Sequence, residues 1–230
     1  MVFRSALLLA LALASPHMSS AQSCVAAPPQ TGFKPADYTG VWFEIGKIQT
    51  AGGAIFESSC VCTQLIVAAA ADPAAPGDAT VLNSCRDKTP QGAFINASAQ
   101  LVNMAPPGHW DETFVPPAWK CVRRRWQRGV SARRARSRAT TSRAFAPPAP
   151  RVFVNYTVIF AGVDPDTKEE YSVEYDCNGE GLFNNYCVHI LARKPTMSAA
   201  LMDKLVKASL ALNLNTQNLP FNQTLQEGCW

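Results

Sequence analysis

Eight short segments of this chain alternate apolar and polar residues with a period of two, and one late segment repeats with a period near 3.6. That change of period constrains the fold more than any other feature. Strands are expected over Tyr38–Gln49, Cys60–Ala70, Thr80–Arg86, Gly92–Asn103, Trp110–Val115, Val152–Gly162, Tyr171–Cys177 and Tyr186–Arg193. In the fourth, Ala93, Ile95, Ala97, Ala99 and Leu101 share one face, and Asn96, Ser98 and Gln100 the other. Leu201, Leu205, Ala208 and Leu212 then recur at helical spacing, with Ser198 placed to cap a helix that stops near Asn213. Eight strands and one amphipathic helix suggest a closed antiparallel barrel with the helix packed outside, the alternative being a two-sheet sandwich. Closure removes exposed sheet edges, and an eight-stranded barrel is wide enough to hold one small ligand.

The N-terminus carries an export signature. Arg4 is followed by the apolar run Ala6–Ala14, then Pro16, with Ser19 and Ala21 as small residues before a cleavage point. The run is too short to span a bilayer, and the whole reads as a signal peptide over residues 1–21. Residues 22–230 then form a single domain, secreted or in the lumen of the secretory pathway. Eight cysteines fit disulfides in such an oxidising compartment. Three glycosylation sequons, at Asn96, Asn155 and Asn222, fit it as well.

The charge is unevenly spread. The net charge is +4, yet residues 120–151 hold eleven of the 21 basic residues and no acid. Elsewhere ten basic residues face 17 acidic ones, a net charge of −7. The chain is therefore an acidic protein interrupted at 119–151 by an Arg-rich insert. The insert shows neither strand nor helix period. Its Arg, Ala, Ser, Pro and Trp are what GC-rich sequence yields when read as protein, so an idle loop or a retained intron is expected. A secreted chain seldom meets nucleic acid, so no nucleic-acid partner is expected. Peripheral contact with an anionic membrane is the remaining reading of the arginines.

The segment PPQTGFKPADYTGVWFEIGKIQ contains Gly40-Val41-Trp42. YSVEYDC and YCVHILARKPTMS follow late in the chain, and MDKLVKASLALNLNTQNLPFNQTLQEGC closes it. Together these resemble the lipocalin family, and within it the apolipoprotein D-like branch, which includes bilin-binding, bacterial and plant lipocalins. The resemblance runs over nearly the whole mature chain outside the insert. The motif between the sixth and seventh strands is only loosely kept, as Ala161–Asp166. The resemblance implies an all-β, eight-stranded up-and-down barrel of the calycin type with one C-terminal helix outside. It also implies a structural motif in which Arg193 lies across Trp42 at the closed end, with Gly40 packed beside the ring. It suggests the disulfides Cys24–Cys177 and Cys60–Cys229 or Cys62–Cys229, with Cys62–Cys85 as a further pairing.

If Trp42 points inward, period two puts Glu44, Gly46 and Ile48 on its side. The other expected pocket residues are Ile95, Ala97, Leu101, Tyr156, Val158, Tyr171, Val173, Tyr175 and His189. No metal is expected at Cys60-Val61-Cys62, because no second His/Cys pair lies near it in sequence. Cys187 and His189 share a face but show no third group to orient the imidazole, so no catalytic residue is expected. The expected function is extracellular carriage of a small hydrophobic ligand, with no cofactor. The resemblance suggests a fatty acid, sterol, retinoid, carotenoid or bilin. The alternative is a lipocalin-type isomerase or de-epoxidase, with Glu44 or His189 moving protons. Oligomeric state is not legible in the sequence.

Overall fold

The computed structural model describes residues 24–51, 57–71, 74, 77–115, 153–179 and 185–230. The expected signal peptide and the Arg-rich insert lie outside these residues. A one-turn helix α1 (Pro35–Tyr38) leads into β1 (Gly40–Gln49). Then come β2 (Cys60–Ala69), β3 (Ala79–Asp87), β4 (Phe94–Val102), β5 (His109–Val115), β6 (Phe153–Val163), β7 (Glu170–Asn178) and β8 (Asn185–Ala192). Helix α2 (Ala199–Ala211) and a two-residue strand β9 (Asn222–Gln223) complete the chain.

Each of the eight main strands pairs antiparallel with its successor, and β1 pairs with both β2 and β8. The sheet thus closes into an up-and-down barrel, and the sandwich alternative falls away. The short β9 lies against β1 through Gly46 and Lys47. Gly46 is required there, since a Cβ would sit 2.3 Å from the Phe221 ring. At α2 the Ser198 hydroxyl accepts from Leu201 N, satisfying one of the free amides of the first turn.

Two apolar clusters divide the molecule. The first fills the closed end of the barrel with Tyr38, Trp42, Leu65, Val67, Val81, Leu101, Trp110, Tyr156, Val158 and Leu191 among its members. The second lies between the outer faces of β6, β7, β8 and β1 and the helix. It contains Ile48, Ile159, Val173, Tyr175, Val188, Ile190, Leu201, Leu205 and Leu214. Burying Leu201 and Leu205 holds the helix to the barrel, at roughly 1.5–3 kcal/mol for each side chain.

Three register shifts decide which side chains enter the barrel. In β1, Glu44 pairs with Leu191 and Gly46 with Ile190, so Ile45 is an extra residue. In β2, Val61 pairs with Arg86 and Gln64 with Ser84, so Cys62 and Thr63 stand opposite Cys85 alone. In β6, Val158 pairs with Glu174 and Phe160 with Val173, leaving Ile159 extra. Each bulge inverts the inward–outward alternation beyond it.

The second of these bulges decides which of Cys60 and Cys62 reaches the tail, the choice the sequence leaves open. Cys62 has φ +56°, its N–H donates to Leu225 O, and its sulfur is bonded to Cys229 in the tail. Cys60 is bonded to Cys85 on the neighbouring strand. The pairs are therefore Cys62–Cys229, the second of the two expected alternatives, and Cys60–Cys85, which replaces the further pairing Cys62–Cys85. Cys24 is bonded to Cys177. Cys187 is free and buried.

Candidate functional site

The closed end is built around Trp42. Its indole Nε1–H donates to Tyr38 O at 2.8 Å. The Arg193 guanidinium lies over the ring, with Cζ 3.6 Å from the centroid. Its two terminal nitrogens donate to Val41 O at 3.0 Å and Asp37 O at 2.8 Å. A planar fork can make both bonds while stacking on an aromatic face, which an ammonium cannot do. Gly40 has φ +102°, and a Cβ there would stand 3.2 Å from the Arg193 Nη1. Above this plug Tyr38, Trp110 and Tyr156 form an aromatic floor, with ring centroids 6.2 Å apart for Tyr38–Trp110 and 6.0 Å for Trp110–Tyr156.

A cavity of about 30 Å³ sits on the barrel axis above the floor. Its lower wall includes Leu65, Val81, Phe114 and Tyr156, and its upper wall carries Glu44, Glu57, Glu112, Glu174, Asp176 and His189. The space is large enough for about two waters. It is smaller than an organic ligand of the expected classes, so such a ligand needs side chains in the upper barrel to move aside. The interior is not uniformly oily. An apolar base gives way to a band of buried acids.

That band is tightly connected. Glu44 Oε2 accepts from His189 Nδ1 at 2.7 Å, and His189 Nε2 lies 3.4 Å from Asp176 Oδ2. Lys47 Nζ lies 3.2 Å from Glu44 Oε1 and donates to Glu57 O at 3.1 Å. The Thr224 hydroxyl also donates to Glu44. Burial opposes the charge on Glu44, but Lys47, His189 and Thr224 outweigh it and hold the carboxyl at about 2. Burial likewise opposes the imidazolium of His189, but Asp176, Cys187 and Glu44 raise it well above the ordinary value. Glu44 and His189 therefore form a buried ion pair at neutral pH. Burial lifts Glu57 to about 7 and raises Glu112 and Glu174 well above the ordinary carboxylate range. Burial thus favours the protonated form of Glu112 and Glu174, in which a carboxyl can donate a hydrogen bond. Tyr38 OH contacts both Tyr156 OH and Glu174.

The expected pocket residues fall into three groups. Glu44, Leu101, Tyr156, Val158 and His189 lie inside the barrel. Ile95 and Ala97 line a smaller hollow beside Cys85. Ile48, Tyr171, Val173 and Tyr175 lie outside, in the cluster beneath the helix and tail. The Ile45 bulge moves Ile48 out and brings Lys47 in. On β7 the faces are the reverse of the expectation, because the helix covers the Tyr171, Val173 and Tyr175 face, and Glu174 and Asp176 point into the barrel.

Glu57, Glu112, Glu174, Asp176 and Lys47 were not among the expected residues. One signal was present. A helix that packs outside a barrel needs apolar outer faces on the strands beneath it, so the polar face of β7 had to turn inward. The group that orients His189 is Glu44, 145 residues away in sequence. The three sequon asparagines, Asn96, Asn155 and Asn222, are exposed on β4, β6 and β9.

Neither a family model nor a curated protein matches the sequence. Solved structures do match by shape. Apocrustacyanin C2 superposes with a TM-score of 0.50 at 11% identity, over 84% of this chain and 79% of that one. Lobster apocrustacyanin A1 gives the same score and coverage at 12% identity. Apocrustacyanin C1 gives them at 11%. At such identity the likeness is one of fold, and the closed barrel with its outer C-terminal helix is the lipocalin fold.

Proposed function

We propose that this chain is a secreted lipocalin-type carrier of a small, largely apolar ligand that enters the barrel and rests on the aromatic floor. The observation that carries this reading is the on-axis cavity between the Tyr38–Trp110–Tyr156 floor and the band of buried acids. Apolar area leaving water on the floor contributes about 25 cal/mol per Å². The acid band selects among the classes that the resemblance suggests. A fatty-acid carboxylate would face Glu44, Glu57 and Asp176 with only Lys47 and His189 to offset them. A neutral ligand bearing a hydroxyl or carbonyl can accept from Glu112 or Glu174. Retinol, sterols and hydroxylated carotenoids therefore fit better than fatty acids. The three disulfides fit an oxidising compartment, and no helix among the described residues is long and apolar enough to cross a membrane.

The test is a titration of the mature chain with retinol, a sterol, a carotenoid, a bilin and a long-chain fatty acid, following tryptophan fluorescence. Trp110 lies in the floor and Trp42 in the plug beneath it, so tryptophan emission reports occupancy. The expected result is saturable quenching by a neutral lipophile, with at least about tenfold weaker binding of the fatty acid, since a buried like charge costs more than 1.4 kcal/mol. No quenching by any member of the panel contradicts carriage.

A second reading has a specific basis. His189, oriented by Glu44 and placed at the cavity, could donate a proton to a bound lipophile, as an isomerase or de-epoxidase requires. Its raised value suits a proton donor rather than a base, and burial keeps the Cys187 thiol protonated. Chemical conversion of a bound ligand by the purified chain would favour this reading over carriage.

A further inference from the structure

Acids outnumber bases around the cavity, with the buried Glu44, Glu57, Glu112 and Glu174 and the half-buried Asp176 facing Lys47 and His189. Three of these side chains meet closely. A carboxylate oxygen of Glu44, one of Glu57 and a ring nitrogen of His189 all lie within 4.8 Å of one another, and all three residues are buried. Two further groups point to a missing occupant. Thr63 Oγ1 and Asn83 Oδ1 belong to residues that are 2% and 8% exposed, line the same cavity, and have no hydrogen-bond partner among the described residues. An unpaired buried polar atom costs about 1–3 kcal/mol unless something satisfies it.

We propose that Glu44, Glu57 and His189 form a binding site for a divalent transition metal of the zinc class inside the barrel. The donor set is two carboxylates and one imidazole. That suits a borderline ion, which typically takes three protein ligands and leaves a fourth position open. The free space of about 30 Å³ accommodates an ion with a water or two. Glu44 Oε2 and His189 Nδ1 are 2.7 Å apart, and neighbouring ligands of tetrahedral zinc stand about 3.4 Å apart. That pair opens by less than an ångström as the ion replaces the shared proton, and Glu57, whose ligand atom lies within 4.8 Å of the other two, closes onto the ion. Asp176 at the other ring nitrogen supplies the outer carboxylate that commonly fixes a metal-bound imidazole. Thr63 and Asn83 line the same cavity, and their unpaired oxygens can bind a water held by the ion.

The site shares the cavity with the proposed carrier role but does not depend on it, and metal binding and lipophile binding succeed or fail separately. The experiment uses the untagged mature chain stripped with a chelator. Zinc is followed by calorimetry, and cobalt by its visible absorption. The expected result is one ion per chain, weakened at least about tenfold in Glu57→Gln and unchanged in Glu227→Gln, whose carboxylate is on the surface. Circular dichroism verifies that the variants fold. The unmodified chain provides a second readout, since zinc should shift the ring resonances of His189 and leave those of His109 in place. Absence of stoichiometric binding, unchanged affinity in a folded Glu57→Gln, or zinc that leaves the His189 resonances unmoved would each overturn the proposal.

Discussion

At the scale of the residue, Arg193 shows how one side chain closes the barrel. It stacks on Trp42 and ties Val41 and Asp37 to the end of β8, so it links the first turn of the chain to its last long strand. Lysine would keep the charge but lose the planar fork and one carbonyl contact. Arg193→Lys should therefore lower stability by about 1–2 kcal/mol, read as a shift of the urea midpoint at unchanged slope. An unchanged midpoint would show that the plug is decorative. Trp42, Gly40 and Arg193 were legible through the Gly40-Val41-Trp42 segment and the late arginine that carry the resemblance to lipocalins. Glu57 and Glu112 were not, since a glutamate in a strand sequence gives no sign of which way it points.

Among the elements, helix α2 is held to the turn after β6 by electrostatics as well as by its apolar stripe. Lys204 Nζ donates to Asp164 Oδ2 at 2.5 Å, and the amides of Asp166 and Thr167 donate to Asp164 Oδ1 at 3.0 Å. The Lys204 bond, with those amides, lowers the Asp164 carboxyl from 3.8 to about 2. The folded value lies below the unfolded one, so the stabilisation is complete above about pH 4 and is lost as the pH falls through about 2. Asp164→Asn should remove that acid-side dependence and leave a flatter melting profile between pH 4 and pH 2. A profile as steep as that of the parent chain would assign the effect elsewhere. The strands and this helix were readable because period two and period 3.6 survive in the residues themselves. The bulges were not, because an extra residue such as Ile45 shows only in the hydrogen-bond register. Ile48 was misplaced for that reason, and Tyr171, Val173 and Tyr175 because the polar side of β7 faces the barrel rather than solvent.

For the whole molecule, two long-range disulfides fasten the chain ends to the barrel wall. Cys24–Cys177 spans 153 residues and Cys62–Cys229 spans 167. Cys229→Ser releases the tail that supplies Thr224 and Gln226 to Glu44 and should cost about 2–4 kcal/mol, measured by thermal or urea melting. A loss below that range would mean that β9 holds the tail without the covalent link. The strands and the outer helix could be foreseen from periodicity, which left barrel and sandwich open; the closed barrel and its plugged base were foreseen only through the resemblance to lipocalins. The acidic upper interior could not be foreseen, because it arises where distant strands converge.

The central claim is that the ligand rests on the aromatic floor inside the barrel. Its most direct test is an isotope-filtered NMR experiment on the mature chain saturated with a neutral lipophile such as retinol. The account predicts intermolecular contacts from the ligand to ring protons of Trp110 and Tyr156. Contacts confined to the outer cluster around Val173 and Tyr175, or none to any interior residue, would contradict it.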